Sequence, residues 1–518
     1  MQYVIEYKDK LIRKENLLLR QGHKMKAILP HNFIRYASNF SRESMIYGVA
    51  YWAKNVFSNH HRGKPNFYQD IPYTIELNGK PFSSKSMVAQ TWLIDLVYEI
   101  ACLKNCGYEE INKYEALHLI NLFSDYQNVQ DGKRKEIRTD PLLNLYGFFG
   151  EQQKFQTEYR FFENFSREKY ILDIVSKREH KSNHYGLDIP RKFSEISGLS
   201  TFDYVRYVLL IFSYFSTTKL ISNKEQMKKD FSKDKVDTDI FCSLVEKYSI
   251  PIEKIKESGL KRQVFYSKPI IKIGENYVAS NPFLLLCMFE NAEYWEIRNH
   301  YQRKGSTDFT TAFGTYFEMY FEEVLNNCLT KTQYQRLNDD NISLADWNIQ
   351  LGEFDILIEQ KSTLSLLGSK QSQPNIESLK NHIETVWGKA VTQLANTEKE
   401  LQKNAPIKII LVYEDYYKCE CLDMLFAYNK DYHNDYRYWL VTINELEILL
   451  NLYRVDKEKT LEILAEKNEL ELSRSTQGRE LMQIFDRHSI TKNKYLTDFG
   501  IYQTQFEKVK TSFSKNEG

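Results

Sequence analysis

Cysteine is scarce, with seven in 518 residues. So sparse and odd a count gives no disulfide framework and fits a reducing, cytoplasmic setting. The pairs Cys102-Leu-Lys-Asn-Cys106 and Cys419-Glu-Cys421 have no spaced second pair, so the ligand set of a structural zinc site is missing. Long apolar runs are missing too. Phe283–Phe289 is far short of the roughly 18 residues of a membrane span, which argues against a membrane partner. The first residues, MQYVIEYKDKLIRKE, carry charges every few positions instead of the apolar core of a secretory signal. Neither GxxxxGK[ST] nor GxGxxG occurs, which argues against an ATP-driven motor. There is no repeat of fixed period and no low-complexity tract. Charge of one sign is not in excess: 70 basic and 69 acidic residues leave +1, which excludes a uniformly basic coat protein.

Apolar side chains are plentiful. Hydrophobic residues make up 42%, aromatics 14% and charged residues 27%, a balance that supports packed cores. At roughly 100–200 residues per domain, the length implies two to four domains. The charge is unevenly spread: residues 1–300 carry +8 and residues 301–518 carry −7, together the net +1. A basic front is compatible with a polyanion partner and an acidic rear with a metal-dependent site.

Residues 1–265 read as a mostly α-helical region for target recognition, self-association or partner binding. Ser84–Cys102 has helical spacing at Met87, Trp92, Leu93, Leu96, Val97 and Ile100, and Asp203–Phe215 is similar. Polar breaks fall at Asn59–Asn66, Gln130–Asp140 and Ser222–Asp239. The pattern changes near Lys268. Pro269–Ile273 and Asn276–Ala279 read as strands around Gly274-Glu275, followed by a helix from Pro282. Asp308–Leu329 reads as an amphipathic helix capped by Ser306 or Thr307, with Phe309, Phe313, Tyr316, Phe317, Tyr320 and Val324 as its stripe. Three strands are expected next, at Ser343–Ile349, Phe354–Gln360 and Thr363–Lys370, with turns near Gly352 and at Lys361-Ser362. A helix at Asn375–Leu401, strands at Ile407–Tyr413 and Tyr438–Ile443 and a helix at Asn444–Tyr453 complete an α/β unit over residues 266–455. Residues 456–518 read as a helical extension.

Chemistry concentrates in Leu351–Lys370. Alternation puts Glu353, Asp355, Leu357 and Glu359 on one strand face. A hairpin turning at Lys361-Ser362 would set Asp355 opposite Gly368 and Glu353 opposite Lys370. Two carboxylates and an ammonium would then converge on an apolar hairpin, which is costly unless they serve a site. His60-His61 and the pair His180 and His184 have no ligand-rich partner segment and read as surface residues. Most of the Phe and Tyr at helical spacing read as core.

The helix carrying Phe313-Gly-Thr-Tyr-Phe-Glu318, the strand Gly-Glu-Phe-Asp-Ile-Leu-Ile and an apolar strand ending in lysine resemble the PD-(D/E)XK nuclease superfamily, the restriction-endonuclease-like fold. The resemblance covers about Pro269–Tyr453. It implies a helix–strand–strand–strand–helix–strand core, with a mixed central sheet flanked by helices. It implies Mg²⁺ or Mn²⁺ held by Asp355, Glu353 and Glu318, with Lys370 at the attacking water and Gln393 as the polar residue of the following helix. By the same analogy the chain is expected to be a DNA endonuclease in bacterial restriction or anti-phage defence, with a homo-oligomer or a defence partner possible. Its alternatives are an RNA-directed nuclease and a non-catalytic nucleic-acid-binding or scaffold subunit. In one respect the chain departs from the pattern: Gly368 stands where the family's second acid belongs, and Glu353 would replace it. A rival register uses Asp346 with Glu359-Gln-Lys361. It keeps both acids, but only two strands then precede the helix and Thr363–Lys370 is left over. Asp355 cannot serve that register, because four residues along a strand span roughly 13 Å. The Asp355 and Lys370 register is therefore preferred at this level.

Overall fold

The computed structural model describes residues 29–58, 68–77, 80–131, 161–178, 186–232, 236–258, 264–337, 344–362, 383–413, 419–429, 431–473 and 478–502. The fold is α/β, with two mixed sheets of four and five strands and a separate two-stranded ribbon. Among the described residues no helix is long and apolar enough to cross a membrane. The chain divides into two compact units. The first draws on residues 1–139, 155–159 and 206–289, and the second on residues 140–154, 160–205 and 290–518. Neither unit is continuous in sequence, which differs from boundaries at 265/266 and 455/456. Residues 456–518 belong to the second unit rather than forming an extension of their own.

In the first unit, helices Leu29–Ala37, Arg42–Ser58, Gln90–Cys102 and Lys113–Asp131 enclose Phe33, Met45, Val49, Leu93, Val97, Leu117 and Phe123. Two expectations are corrected here. Ser84–Ala89 is strand, not helix: Lys80–Ala89 pairs residue for residue with Tyr68–Leu77, and the helix starts only at Gln90. The serines of Ser83-Ser84-Lys85-Ser86 are indifferent helix formers, so the ribbon's ladder decides. The charged stretch after Ser222 is not all loop either. Asn223 accepts the Gln226 N–H at 2.8 Å and caps a helix over Lys224–Asp230. The four-stranded sheet runs Ile221–Ser222, Asn276–Ala279, Ile270–Ile273, Ser249–Pro251, the last pair parallel and the others antiparallel.

The second unit is built on a helix, α1 (Asp308–Cys328), and a five-stranded sheet. The expected stripe of α1, from Phe309 through Val324, is buried throughout. The Ser306 hydroxyl accepts the Asp308 N–H at 3.1 Å and begins the helix. Strands β1 (Tyr334–Arg336), β2 (Trp347–Leu351) and β3 (Phe354–Lys361) form an antiparallel meander. A π-helical turn at Ile383–Gly388 leads into α2 (Lys389–Glu400), and β4 (Ile407–Val412) returns parallel to β3. Helix α3 (Cys419–Tyr428) precedes β5 (Tyr438–Thr442), parallel to β4, and α4 (Ile443–Val455) follows under a capping box of Thr442 and Glu445. The sheet order is β5-β4-β3-β2-β1. Leu357, Trp387, Ala390, Leu394, Ile410, Val412 and Leu440 form the core between α2 and one sheet face.

Strand β3 has both edges filled from Ile356 to Ile358, by β2 on one side and β4 on the other. The register expected for a hairpin at Lys361-Ser362 would need one of these two filled edges. Thr363–Lys370 and the expected N-cap Asn375 lie outside the described residues.

Candidate active site

The site forms where β2 and β3 part. Their ladder ends with Trp347 opposite Ile358, so Glu359, Gln360 and Lys361 run on with β4 as their only strand partner. The edge they leave open is taken by Asp346, the residue before β2, whose Oδ2 accepts the Gln360 N–H at 2.6 Å. A carboxylate thus replaces a strand as the partner of a buried donor. Alternation sends Gln360 to the α1 face. There its Oε1 accepts Trp347 Nε1–H at 2.6 Å. Glu359 and Lys361 point to the opposite face, beside Leu357 and toward α2.

Four elements bring side chains to this notch. Lys361 Nζ donates to Glu359 Oε1 at 2.5 Å and to Gln393 Oε1, on α2, at 3.2 Å. Gln393 Nε2 donates to the Leu344 carbonyl at 3.3 Å, tying α2 to the segment that carries Asp346. From α1, Glu318 accepts Arg336 Nη2–H at 2.9 Å, and the Arg336 guanidinium lies 5.6 Å from the Trp347 ring centre. Glu359 is 3% exposed and Asp346 6%. Glu359 Oε2 is buried without a hydrogen-bond partner. Burial, and then the negative charge of Asp346, pushes the Glu359 carboxyl up to about 8, against the pull of Lys361. Burial also raises Asp346, opposed by the Gln360 N–H, by the Lys361 and Arg336 charges and by a carboxyl–carboxylate hydrogen bond with Glu359. Below about pH 8 the buried pair therefore keeps one proton between its two carboxyls, a place that a divalent cation could take.

Asp355 lies elsewhere. It pairs across the ladder with Gln350 near the Gly352 turn, and its Oδ1 accepts Lys403 Nζ–H at 2.7 Å. Four residues separate it from Glu359, about 13 Å along the strand. Glu353 is exposed in the turn, and Gly368 and Lys370 lie outside the described residues. So the structure gathers Glu318 and Gln393 with Asp346, Glu359 and Lys361, not with Asp355 and Glu353. The strand that the rival register lacked is β1. At three residues, Tyr-Gln-Arg, it is too short to show a period of two. Arg336, which it carries, went unread for the same reason.

Among the described residues, no three His, Cys, Asp or Glu side chains are grouped closely enough to hold a metal ion by themselves. A Mg²⁺ ion does not require three: it keeps several waters and binds through one or two carboxylates plus substrate phosphate. The unpartnered Glu359 oxygen beside Asp346 fits that demand. No protein-family model, curated protein or solved structure matches the chain.

Proposed function

We propose that the protein is a divalent-metal-dependent phosphodiesterase of the PD-(D/E)XK type acting on DNA, with Asp346, Glu359 and Lys361 as its central residues. The observation that carries this reading is Glu359, an ionisable side chain buried with one oxygen unpartnered, next to a second buried carboxylate and a lysine. The order α1, β1, β2, β3, α2, β4 supports it as well, being the core order the resemblance implies. Asp346 and Glu359 would hold Mg²⁺ or Mn²⁺, with Glu318 placed to help through water. When bound, such an ion supplies a water ionised near neutral pH and offsets charge on the scissile phosphate. Lys361, anchored by Gln393, holds a proton beside Glu359 and can position the attacking water or neutralise the developing oxyanion. Arg336 keeps Glu318 turned toward the notch.

Cleavage of plasmid DNA and of a structured RNA in Mg²⁺ or Mn²⁺ tests the reading. Asp346→Ala, Glu359→Ala and Lys361→Ala should each lose about 100-fold or more in rate while staying folded. Asp355→Ala and Lys370→Ala should cut DNA like wild type. Loss only in the last two would return the site to the other register. Cleavage of RNA alone would change the substrate, and no cleavage of either polymer by wild type would overturn the catalytic reading.

A further inference from the structure

Strand β2 begins at Trp347, and the peptide unit between Leu344 and Ala345, just ahead of it, is bonded by side chains. Its carbonyl accepts Gln393 Nε2–H at 3.3 Å, and its N–H donates to Thr397 Oγ1 at 2.7 Å. Both side chains come from α2, one helical turn apart. The Thr397 hydroxyl uses its one proton on the Gln393 carbonyl, at 2.8 Å, so its oxygen is left to accept from Ala345. Ala345 and Thr397 are fully buried, which keeps water from replacing either partner. Beyond this peptide Asp346 is held as well: its carbonyl accepts the Leu337 N–H at 2.9 Å, and its Oδ2 accepts the Gln360 N–H. Nothing in α2 itself calls for a threonine at this position. Ala390 and Leu394, on the same face, are apolar core residues. A β-branched residue is an indifferent helix former, and a buried hydroxyl is costly unless it is bonded.

We infer that Thr397 is a positioning residue, setting the backbone ahead of Asp346 so that the Asp346 carboxylate reaches the notch beside Glu359. This rests on the reading of Asp346 and Glu359 as ligands of Mg²⁺ or Mn²⁺, since Thr397 touches neither ion nor substrate and acts only through Asp346. Groups that orient a metal ligand from behind tune the affinity of the site, so the effect is read as metal binding rather than as cleavage. Mn²⁺ alone is titrated into the full chain, and free Mn²⁺ is followed by its electron paramagnetic resonance signal. Wild type should bind an ion that Glu359→Gln does not. Thr397→Val keeps the side chain's shape and the helix, so circular dichroism should match wild type, but it leaves the Ala345 N–H buried without an acceptor. It should weaken Mn²⁺ binding by about 10–100-fold. Thr397→Ala should weaken binding in the same direction. Thr397→Ser keeps the hydroxyl and should restore most of the affinity. Leu440→Ala opens the same core from the sheet side, so it should lower the melting temperature while binding Mn²⁺ like wild type. Wild-type affinity in Thr397→Val, or a loss that Thr397→Ser does not repair, would overturn the assignment. An equal loss in Leu440→Ala would also overturn it, in favour of general stability. A wild type that binds no Mn²⁺, or binds it equally in Glu359→Gln, would remove the metal site and this role of Thr397 with it. Wild-type binding that depends on Glu359 but not on Thr397 would remove the role of Thr397 alone.

Discussion

Burial raises the carboxyl of Glu359, whereas hydrogen bonding lowers that of Glu246. The Tyr277 hydroxyl, followed by Lys272 and Lys224, holds Glu246 down at about 2, against an ordinary value of 4.5. The folded protein therefore binds that proton less tightly than the unfolded chain. The stabilisation is complete above pH 4.5 and is lost as pH falls from there toward 2. Glu246→Gln should lower the urea midpoint at pH 7, and the gap to wild type should narrow as the pH is taken down to 3. A gap that stays constant with pH would show that the carboxylate's charge is not what these partners recognise. Because the side chain is 41% exposed, solvent screening keeps the effect small. Glu359 represents the other extreme. Glu-Gln-Lys at 359–361 is visible in the sequence as a candidate triplet, and so is Asp346. What could not be read there is that β2 begins only at Trp347, which makes room for these side chains to meet.

At the scale of elements, two turns share one chemistry in different surroundings. Leu351 pairs with Phe354 and Ile273 with Asn276, so Gly352-Glu353 and Gly274-Glu275 are both two-residue loops, and each glycine has φ of +57°. Alanine in that region costs about 1–2 kcal/mol for conformation alone. A Cβ on Gly274 would meet nothing within 4 Å, whereas one on Gly352 would come within 2.8 Å of the Leu461 side chain. Leu461 is half-buried and can yield, which adds about 1 kcal/mol, the low end of overpacking costs. Gly274→Ala should thus destabilise by about 1–2 kcal/mol and Gly352→Ala by about 2–3 kcal/mol, measured by denaturant unfolding. Equal losses would mean that the helix bearing Leu461 does not rest on the turn. Both turns were legible, as were α1, β4 and β5, because glycine position and apolar period are local signals. The ribbon Tyr68–Ala89 was not, since its second strand runs straight into helix Gln90–Cys102 and the apolar spacing of that helix extends back over Met87. What is nonlocal is the edge of β3 filled by Ile407–Val412, over 40 residues on.

For the whole molecule, sequence order hides how the second unit is assembled. Arg167 Nε and Nη2 donate to Glu447 at 2.6 and 2.7 Å, 280 positions away, and Tyr320, Asn444 and Asn493 complete the buried cluster. No local pattern marks Arg167 as a core residue, so the grouping of residues 160–205 with residues 290–518 is not legible in sequence order. On the proposed function, stability of this unit should respond to a divalent ion added in solution. Burying Glu359 beside Asp346 is unfavourable without a cation, so the neutral Glu359→Gln should melt no lower than wild type in EDTA. Free Mg²⁺ or Mn²⁺ at 100 times its dissociation constant stabilises the folded state by about 2.7 kcal/mol. In calorimetry this should raise the midpoint of the second unit by the order of 5 °C. Glu359→Gln should abolish that shift, and Asp355→Asn, altering only the pairing with Lys403, should preserve it. A shift of wild-type size in Glu359→Gln would place the ion elsewhere, because the charge that calls for a cation here is the one that substitution removes.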